Sequence, residues 1–191
     1  MWDRGSIETA KILKTQITSG TVLEISPGPG SLGINWLAKT EETKLVGLDI
    51  SSEMLKRSRA NATSEGLQDR AEYVHGDACS IPFKDDQFAA VFANGGLHEW
   101  ADPITVFNEI ARVLKDGGRY WITDLRRDMS RFVQWMMLLF VRGRSMRARL
   151  ASSINAAYVL SEARELAARS DLPDPIVKTS FIGLSIVGRK G

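Results

Sequence analysis

The sequence predicts an α/β protein with a doubly wound, mostly parallel, seven-stranded sheet. Five short apolar segments in residues 21–125 alternate with segments of helical periodicity, which is typical of parallel βαβ units. Two further apolar segments flank Gly183 and predict a closing antiparallel pair, so the last strand runs against the others. Because the chain has 191 residues and no linker divides it, we expect a single domain over residues 1–191.

Turn residues and helix caps set the expected boundaries of the elements in order along the chain. We expect strands at 21–25, 44–48, 71–75, 88–93, 119–125, 176–181 and 184–189. We expect helices at 6–17, 32–39, 51–64, 103–114 and 161–169, with Ser51 or Ser52 as a cap and Pro103 in a first turn. Asp116-Gly117-Gly118 is predicted to turn the chain into the fifth strand. Residues 128–157 are mostly helical and are predicted to form a cap or lid inserted after that strand.

Composition narrows the class of protein. Hydrophobic residues make up 43% of the chain and charged residues 25%, which argues against a disordered chain. The most apolar run, 132–141, is about half the roughly 20 residues that a membrane-spanning helix needs. The first twenty residues mix charged and apolar side chains and predict no secretory signal. The single cysteine, Cys79, can form no intrachain disulfide, which favours a reducing, cytoplasmic setting.

Positive charge is concentrated in one segment. Residues 126–149 contain seven arginines and one acid, giving +6 and leaving −4 on the rest of the chain. One interpretation is a helical cap with solvated arginines, and another is a lid whose arginines attract an anionic substrate. A third is contact with a membrane surface, through an apolar face comprising Phe132, Trp135, Met136, Leu139 and Phe140. Nucleic-acid binding is the weakest alternative, because no nucleic-acid motif accompanies the charge.

A glycine-rich turn follows the first predicted strand, at Ser26-Pro27-Gly28-Pro29-Gly30. Glycine allows the backbone to adopt positive φ and to approach a ligand closely, and the next helix N-terminus can receive an anionic group. Residues 28–33 also match the G-x-G-x-x-G dinucleotide fingerprint. A purely structural turn remains the alternative.

Asp49 ends the second predicted strand. One carboxylate there can accept hydrogen bonds from both hydroxyls of a ribose. The alternative is an aspartate that complements the dipole of the following helix. The position alone does not decide between these two interpretations.

Three further segments follow in order. They are His75-Gly76-Asp77-Ala78 with Ile81-Pro82-Phe83, then Leu97-His98-Glu99-Trp100-Ala101-Asp102-Pro103, then Arg112-Val113-Leu114-Lys115-Asp116-Gly117-Gly118. With the glycine loop and Asp49, this ordered set resembles the class I S-adenosylmethionine-dependent methyltransferases that act on small molecules. The resemblance covers about residues 20–125. Ser26 departs from the pattern, since glycine is usual there, as does Glu99, where a second histidine is common.

The resemblance implies a Rossmann-like fold, S-adenosylmethionine as cofactor, and a set of binding residues. Glu24 and the backbone from Ser26 through Gly28 to Gly30 are expected around the methionine part, and Asp49 at the ribose. Ile50 and Met54 are expected at the adenine face, Asp77 and the Ala78 N–H at the adenine edge, and the Asn94 carbonyl at the methionine ammonium.

The chemistry expected is an in-line displacement, which depends on proximity, alignment and exclusion of water. A base is needed only where the nucleophile must first lose a proton. His98 is the candidate base because it follows strand four at the carboxyl edge, although a structural histidine is the alternative. Tyr158 could reach the substrate or simply pack as an aromatic. Two histidines and one cysteine provide no metal-ligand set, so no metal is expected.

The function expected is methyl transfer from S-adenosylmethionine to a small-molecule or lipid-like acceptor. If the arginines of the lid attract the acceptor, we expect it to be anionic. A nicotinamide-dependent oxidoreductase is the enzymatic alternative, although only about 65 residues follow strand five, too few for a substrate domain. A non-catalytic S-adenosylmethionine-binding module is the alternative from another class. The sequence specifies neither the acceptor atom nor the oligomeric state.

Overall fold

A computed structural model describes residues 17–191 and contains one seven-stranded sheet in the order β3-β2-β1-β4-β5-β7-β6. The strands are β1 (Ser19–Ile25), β2 (Glu42–Asp49), β3 (Ala71–His75), β4 (Phe88–Asn94), β5 (Leu114–Leu125), β6 (Ile176–Thr179) and β7 (Gly183–Arg189). Strands β1 to β5 pair in parallel, and β7 pairs antiparallel with both β5 and β6. The predicted mostly parallel sheet with an antiparallel last strand is therefore confirmed.

Six helices connect and cover the strands within the described residues. They are α1 (Ser31–Leu37), α2 (Ser52–Ser64), α3 (Pro103–Val113), α4 (Arg131–Phe140), α5 (Arg144–Ala156) and α6 (Leu160–Ala168). The Ser51 hydroxyl accepts from the Met54 N–H and caps α2, while Asp102 caps α3 by accepting from the N–H groups of Ile104 and Thr105. The helix predicted at 6–17 lies outside the described residues, apart from Ile17.

Alternation along the strands divides the core between the two faces of the sheet. On one face, Leu23 and Ile25 join a cluster completed by α3 and α6. On the other, Val22 and Phe92 pack with α1. Helices therefore cover both faces, as a doubly wound sheet requires.

The ends of most described elements agree with the prediction within two residues, but two regions differ more. The turn predicted at 116–118 is an irregularity inside β5, where the register with β4 shifts between Phe88 and Ala90 and Gly117 adopts φ 75°. Strand β5 therefore begins at Leu114, because backbone pairing continues on either side of the bulge. The segment predicted as mostly helical over 128–157 forms two helices, α4 and α5, separated at Val141–Gly143.

A third apolar cluster joins α4 and α5 to the end of β5. It consists of Leu125, Met129, Val133, Met137, Leu150, Ile154 and Ala157. These two helices thus have a small core of their own beside the carboxyl edge of the sheet. Across residues 17–191, every helix is too short or too polar to cross a bilayer.

Candidate cofactor and acceptor site

The larger cavity, of about 700 Å³, opens at the carboxyl ends of β1, β2, β3 and β4. The strand order reverses at the β1–β4 pair, and ligands of open α/β sheets bind at such a switch point. The volume falls within the range of about 300–1,000 Å³ typical of ligand pockets. Every cofactor-binding residue predicted above except Gly30 lines this cavity: Glu24, Ser26, Gly28, Asp49, Ile50, Met54, Asp77, Ala78 and Asn94.

The loop from Ser26 to Gly30 turns sharply between β1 and α1. Ser26, Gly28 and Gly30 all have positive φ, of 53°, 55° and 81°. A Cβ on Gly30 would lie 3.0 Å from the Tyr73 hydroxyl, so this glycine is needed both for its conformation and for the close approach. A Cβ on Gly28 would have no neighbouring atom within 4 Å, and Gly28 lines the cavity.

Ser26 adopts the left-handed conformation that its position requires, although it is not glycine. Its N–H donates to the Leu48 carbonyl at 2.9 Å, and its hydroxyl accepts from the Trp100 indole Nε1 at 3.2 Å. A Cβ on Gly96 would lie 2.9 Å from the Ser26 Cβ, so the backbone at Gly96 also packs tightly against Ser26. The departure at Ser26 therefore preserves the loop and ties it to Trp100, which the sequence analysis did not assign to the site.

Glu24 is a buried carboxyl at the base of the cavity. Its Oε1 accepts from the Gly33 N–H at 3.2 Å, while Oε2 has no hydrogen-bond partner among residues 17–191. Burial raises the pKa of Glu24 to about 8, with the Gly33 N–H opposing the shift and the negative charge of Asp49 adding to it. A bound cation or hydrogen-bond donor would satisfy this orphaned oxygen.

Asp49 lies at the start of the following helix, as one of its two interpretations expects, and its contact with a ribose stays a prediction. Oδ1 accepts from the Ser51 N–H at 2.8 Å and Oδ2 from the Gly28 N–H at 3.2 Å, so it organises the start of α2 and the glycine loop together. A carboxylate offers about four lone-pair positions, and two remain for a ligand's hydroxyl groups. Its place in the cavity lining fits a diol contact.

Apolar side chains and one carboxylate line the end of the cavity near β2 and β3. Ile50 is 69% exposed and Met54 lies one turn along α2, so both offer apolar surface to the cavity. The Asp77 Oδ1 accepts from the Cys79 N–H at 2.9 Å, which fixes the carboxylate beside Ala78. Cys79 is half-buried in this wall, as a small packing residue would be.

Asn94 joins the larger cavity to a second one. It ends β4, and its side-chain Oδ1 accepts from the Thr123 hydroxyl at 2.8 Å. Both Asn94 and Gly95 line the two cavities. The second cavity has a volume of about 140 Å³ and is closed from above by Met137, Val141 and Leu150 of the helical segment.

His98 and Asp124 form a buried pair beside this second cavity. The His98 Nδ1 lies 2.9 Å from the Asp124 carboxylate, which also accepts from the His98 backbone N–H at 2.9 Å. Because a carboxylate only accepts, Nδ1 carries the proton, and Nε2 is the free nitrogen of the neutral ring. Nε2 has no hydrogen-bond partner in the described part of the chain.

The charge state of His98 reflects opposing influences. Burial lowers the pKa of His98, but the hydrogen bond and charge of Asp124, with a smaller contribution from Glu99, outweigh it and raise the pKa above its usual value. His98 lines neither cavity, because α5 packs over the turn at 97–99. Asp124, by contrast, lines the smaller cavity directly.

The remaining predicted residues are placed as follows. Tyr158 packs half-buried against the main core cluster and lines neither cavity. Between residues 17 and 191, no group of three or more His, Cys, Asp or Glu side chains is arranged to hold a metal ion. Of the arginines in segment 126–149, Arg126 pairs with Asp128 and Arg127 with Glu162.

Two residues that line the cavities, Asp124 and Trp100, were not predicted from the sequence. Asp124 follows the predicted strand pattern as an ordinary strand-end residue, yet it is paired with His98 across 26 positions. Trp100 lies within a motif that was quoted, but its contact with Ser26 spans 74 positions. For Asp124, the sequence did contain a signal. It is an acid at the carboxyl end of β5, and the neighbouring strand β4 leads into the candidate base, His98.

Comparisons with known proteins agree with this geometry. The family of the methyltransferase domain matches residues 23–122, just over half of the chain. Methyltransferase GfsG of Streptomyces halstedii is 35% identical over 104 residues, which cover 54% of this chain and 37% of that protein. The ubiquinone/menaquinone biosynthesis C-methyltransferase UbiE of Escherichia coli is 31% identical over 125 residues, covering 65% of this chain and 48% of that one. The matched stretches thus span less than half of these curated relatives.

Solved structures show the same fold over most of the chain. A SAM-dependent methyltransferase from Aquifex aeolicus superposes with a TM-score of 0.70 at 19% identity, covering 93% of this chain and 86% of that one. The sheet order also differs from the 3-2-1-4-5-6 order of dinucleotide-binding domains, because β7 lies between β5 and β6. With the family match over residues 23–122, the fold and the residues gathered at the switch point, this chain belongs to the methyltransferase domain family, within the class I S-adenosylmethionine-dependent methyltransferases.

Proposed function

We propose that this protein transfers a methyl group from S-adenosylmethionine to a small acceptor that is apolar in part and anionic in part. The observation that carries the proposal is the pair of joined cavities. The larger cavity gathers the predicted cofactor residues, and the smaller one adjoins it at Asn94 and Gly95. When bound, S-adenosylmethionine supplies an electrophilic methyl group on a sulfonium.

The larger cavity supplies groups suited to each part of that cofactor. Glu24 and the loop at 26–30 would hold the methionine part, Asp49 the ribose, and Ile50 with Asp77 the adenine. The Glu24 Oε2 is unpartnered in the described chain and the Asp49 carboxylate has spare lone pairs, so both can accept further hydrogen bonds. The residues present therefore fit the cofactor.

The smaller cavity is suited to an apolar acceptor. Half of its ten lining residues are large and apolar: Leu125, Met137, Val141, Leu150 and Ile182. Residues 128–157 act as a lid in this proposal, since α4 and α5 close the cavity and exclude water from the acceptor. The E. coli relative is named for ubiquinone and menaquinone biosynthesis, and such apolar acceptors support a lipid-like class here.

His98 acts as the base where the acceptor must lose a proton. Its Nε2 is free, and Asp124 orients the ring and stabilises the imidazolium that forms on proton transfer. Because α5 covers the turn at 97–99, this role requires the lid to shift as the acceptor enters. The arginine side chains of segment 126–149 line neither cavity, and they would attract the anionic part of the acceptor from a distance.

A direct binding comparison tests the cofactor assignment. S-Adenosylhomocysteine, the demethylated product, is expected to raise the melting temperature, since it binds the native state alone, whereas NAD and NADP are expected to leave it unchanged. A shift with NAD and none with S-adenosylhomocysteine would overturn the proposal. Incubation with S-adenosylmethionine and a panel of apolar phenols, quinols and carboxylates then tests turnover, and saturable binding without product would favour the non-catalytic module.

A further inference from the structure

Helix α4 exposes the stripe of apolar residues that a helix normally buries. Phe132, Trp135, Met136, Leu139 and Phe140 recur at the i, i+3, i+4, i+7, i+8 spacing of one helical face. All five are exposed, with Phe132 at 66%, Trp135 at 58% and Phe140 at 63%. The opposite side of α4 is the one that packs on the protein, through Val133 and Met137.

Exposed arginines flank this apolar stripe along the chain. Arg131 begins α4, and Arg142, Arg144, Arg147 and Arg149 follow in the turn after it and along the exposed side of α5. These five differ from Arg126 and Arg127, because no carboxylate within residues 17–191 forms an ion pair with any of them. Residues 129–161 contain no acid at all, so the surface is basic throughout. We call these five apolar side chains and five arginines the aromatic–arginine face.

We propose that the aromatic–arginine face docks this protein on an anionic lipid bilayer. Aromatic and aliphatic side chains on one helix face, flanked by arginines, match an amphipathic helix lying in the plane of a membrane interface. The apolar side chains would enter the boundary between headgroups and acyl chains, and the arginines would contact lipid phosphates. The proposal goes beyond methyl transfer, because docking requires no turnover.

Charge argues against a second copy of this chain as the occupant. A two-fold symmetric contact through this face would place the same patch on itself. Five arginines of each copy would then face five of the other, with no acid in 129–161 to separate them. Like charges at close range disfavour such a contact, whereas an anionic bilayer supplies the opposite charge over the whole face.

The position of the face links docking to the acceptor cavity. Met137 and Val141 line the smaller cavity from the inner side of the same segment whose outer side forms the aromatic–arginine face. A lipid-like acceptor leaving the bilayer beneath α4 would therefore meet the lid directly. Docking would shorten the path of the acceptor from the membrane to the site.

Vesicle sedimentation tests the proposal on the full chain. Wild-type protein is expected to co-sediment with phosphatidylcholine vesicles containing phosphatidylglycerol, to bind pure phosphatidylcholine weakly, and to be released by high salt. Trp135→Ser with Phe140→Ser removes apolar contact, and Arg142→Gln with Arg144→Gln and Arg149→Gln removes charge. Each set is expected to weaken binding, the charge set by about 100-fold on the scale of lipid-surface attraction for three arginines.

Matched control variants distinguish binding through the aromatic–arginine face from nonspecific adsorption of the protein to vesicles. Phe181→Ser removes a 79% exposed aromatic from the β6–β7 connection, and Lys56→Gln with Arg164→Gln removes exposed positive charge from α2 and α6. Both are expected to bind vesicles like the wild type, and retained S-adenosylhomocysteine binding would report that each variant is folded. The tryptophan emission of the wild type is expected to shift to the blue on binding, and Trp135→Phe is expected to remove most of that shift.

Three results would overturn the proposal. One is a monomeric wild type that fails to bind anionic vesicles. Another is vesicle binding that the Trp135 and Phe140 changes leave intact, which would reduce the contact to unspecific charge attraction. The third is concentration-dependent self-association, seen by light scattering, that these two changes abolish, because a second copy would then be the occupant.

Discussion

The proposed cofactor end and the proposed acceptor end of this site are built on opposite principles. The cofactor end uses backbone: a loop with three positive φ angles, buried carboxylates that accept backbone N–H groups, and short motifs at fixed places between strands. The acceptor end uses side chains of α4 and α5, which have their own small cluster and turn an apolar stripe to the outside. The family match ends at residue 122, before these helices begin.

The comparison teaches which part of a function can be encoded locally. Binding one constant cofactor depends on turn geometry, and turn geometry depends on neighbouring residues. Shaping a cavity for a particular acceptor depends on how two helices pack on the sheet, which joins residues far apart in the chain. The lid could therefore be exchanged for another without disturbing the glycine loop.

The largest expected effect lies at His98, beside the smaller cavity. We predict that His98→Asn lowers kcat by about 100-fold or more for an acceptor that must lose a proton, the usual scale for a general base. Since the pKa of His98 is raised, kcat of the wild type should increase with pH through a value above about 6.5, as the ring becomes neutral.

Asp124→Asn tests whether Asp124 positions and charges the His98 ring or only stabilises the fold. Loss of the negative charge should move the rising limb of the kcat profile to lower pH, while affinity for S-adenosylhomocysteine stays unchanged. His75→Asn, a change at the other histidine of the chain, should leave the pH dependence of kcat in place. A pH profile identical in the wild type and Asp124→Asn would exclude the proposed pair.

Most of the fold was predictable from the sequence because the signals were local. Strand β3 matches its predicted range, Ser51 caps α2, and the Gly-rich loop lies where its spacing placed it. The pair of His98 with Asp124 was not predictable in this way, because 26 residues separate the partners and only sheet register joins them. The outward direction of the α4 stripe was only one of the interpretations left open, since periodicity defines a face but not what covers it.

The buried carboxyl of Glu24, at the proposed cofactor end, is expected to make stability depend on pH. The pKa of Glu24 is about 8 in the folded protein, above its usual value near 4.5, so the folded state holds a proton that the unfolded state releases between these pH values. Stability should therefore fall as pH rises from 5 to 8, by on the order of 3 kcal/mol at about 1.4 kcal/mol per pKa unit. Glu24→Gln should flatten this dependence.

Chemical denaturation of the cofactor-free protein at pH 5 and pH 8 provides the measurement. Parallel stability curves for the wild type and Glu24→Gln would contradict the assignment. Exposed Glu53→Gln on α2 serves as the control, because its carboxyl lies at the surface and pairs with Arg57.

One variant at each end tests whether the two ends act independently. Asp49→Ala should weaken S-adenosylhomocysteine binding by roughly 1.5–3 kcal/mol, the scale for losing hydrogen bonds to a charged group. Val141→Phe fills the smaller cavity and should leave that affinity unchanged while weakening or abolishing binding of the acceptor. Calorimetry with each ligand measures both effects, and a loss of S-adenosylhomocysteine affinity in Val141→Phe would show that the two cavities are not separable.

The smallest expected effect tests the serine at the centre of the glycine loop. Ser26 has φ 53°, a left-handed conformation that costs a residue other than glycine about 1–2 kcal/mol. Ser26→Ala keeps this strain and leaves the buried Trp100 N–H without its acceptor, so it should destabilise the protein by about 1 kcal/mol. Ser26→Gly loses the same hydrogen bond but releases the strain, so the glycine variant should be more stable than the alanine variant by about 1 kcal/mol. Because both variants lack the hydroxyl, their difference in unfolding free energy isolates the backbone contribution. If alanine proved as stable as glycine at this position, the loop at the cofactor end would not depend on backbone conformation in the way that distinguishes it from the lid.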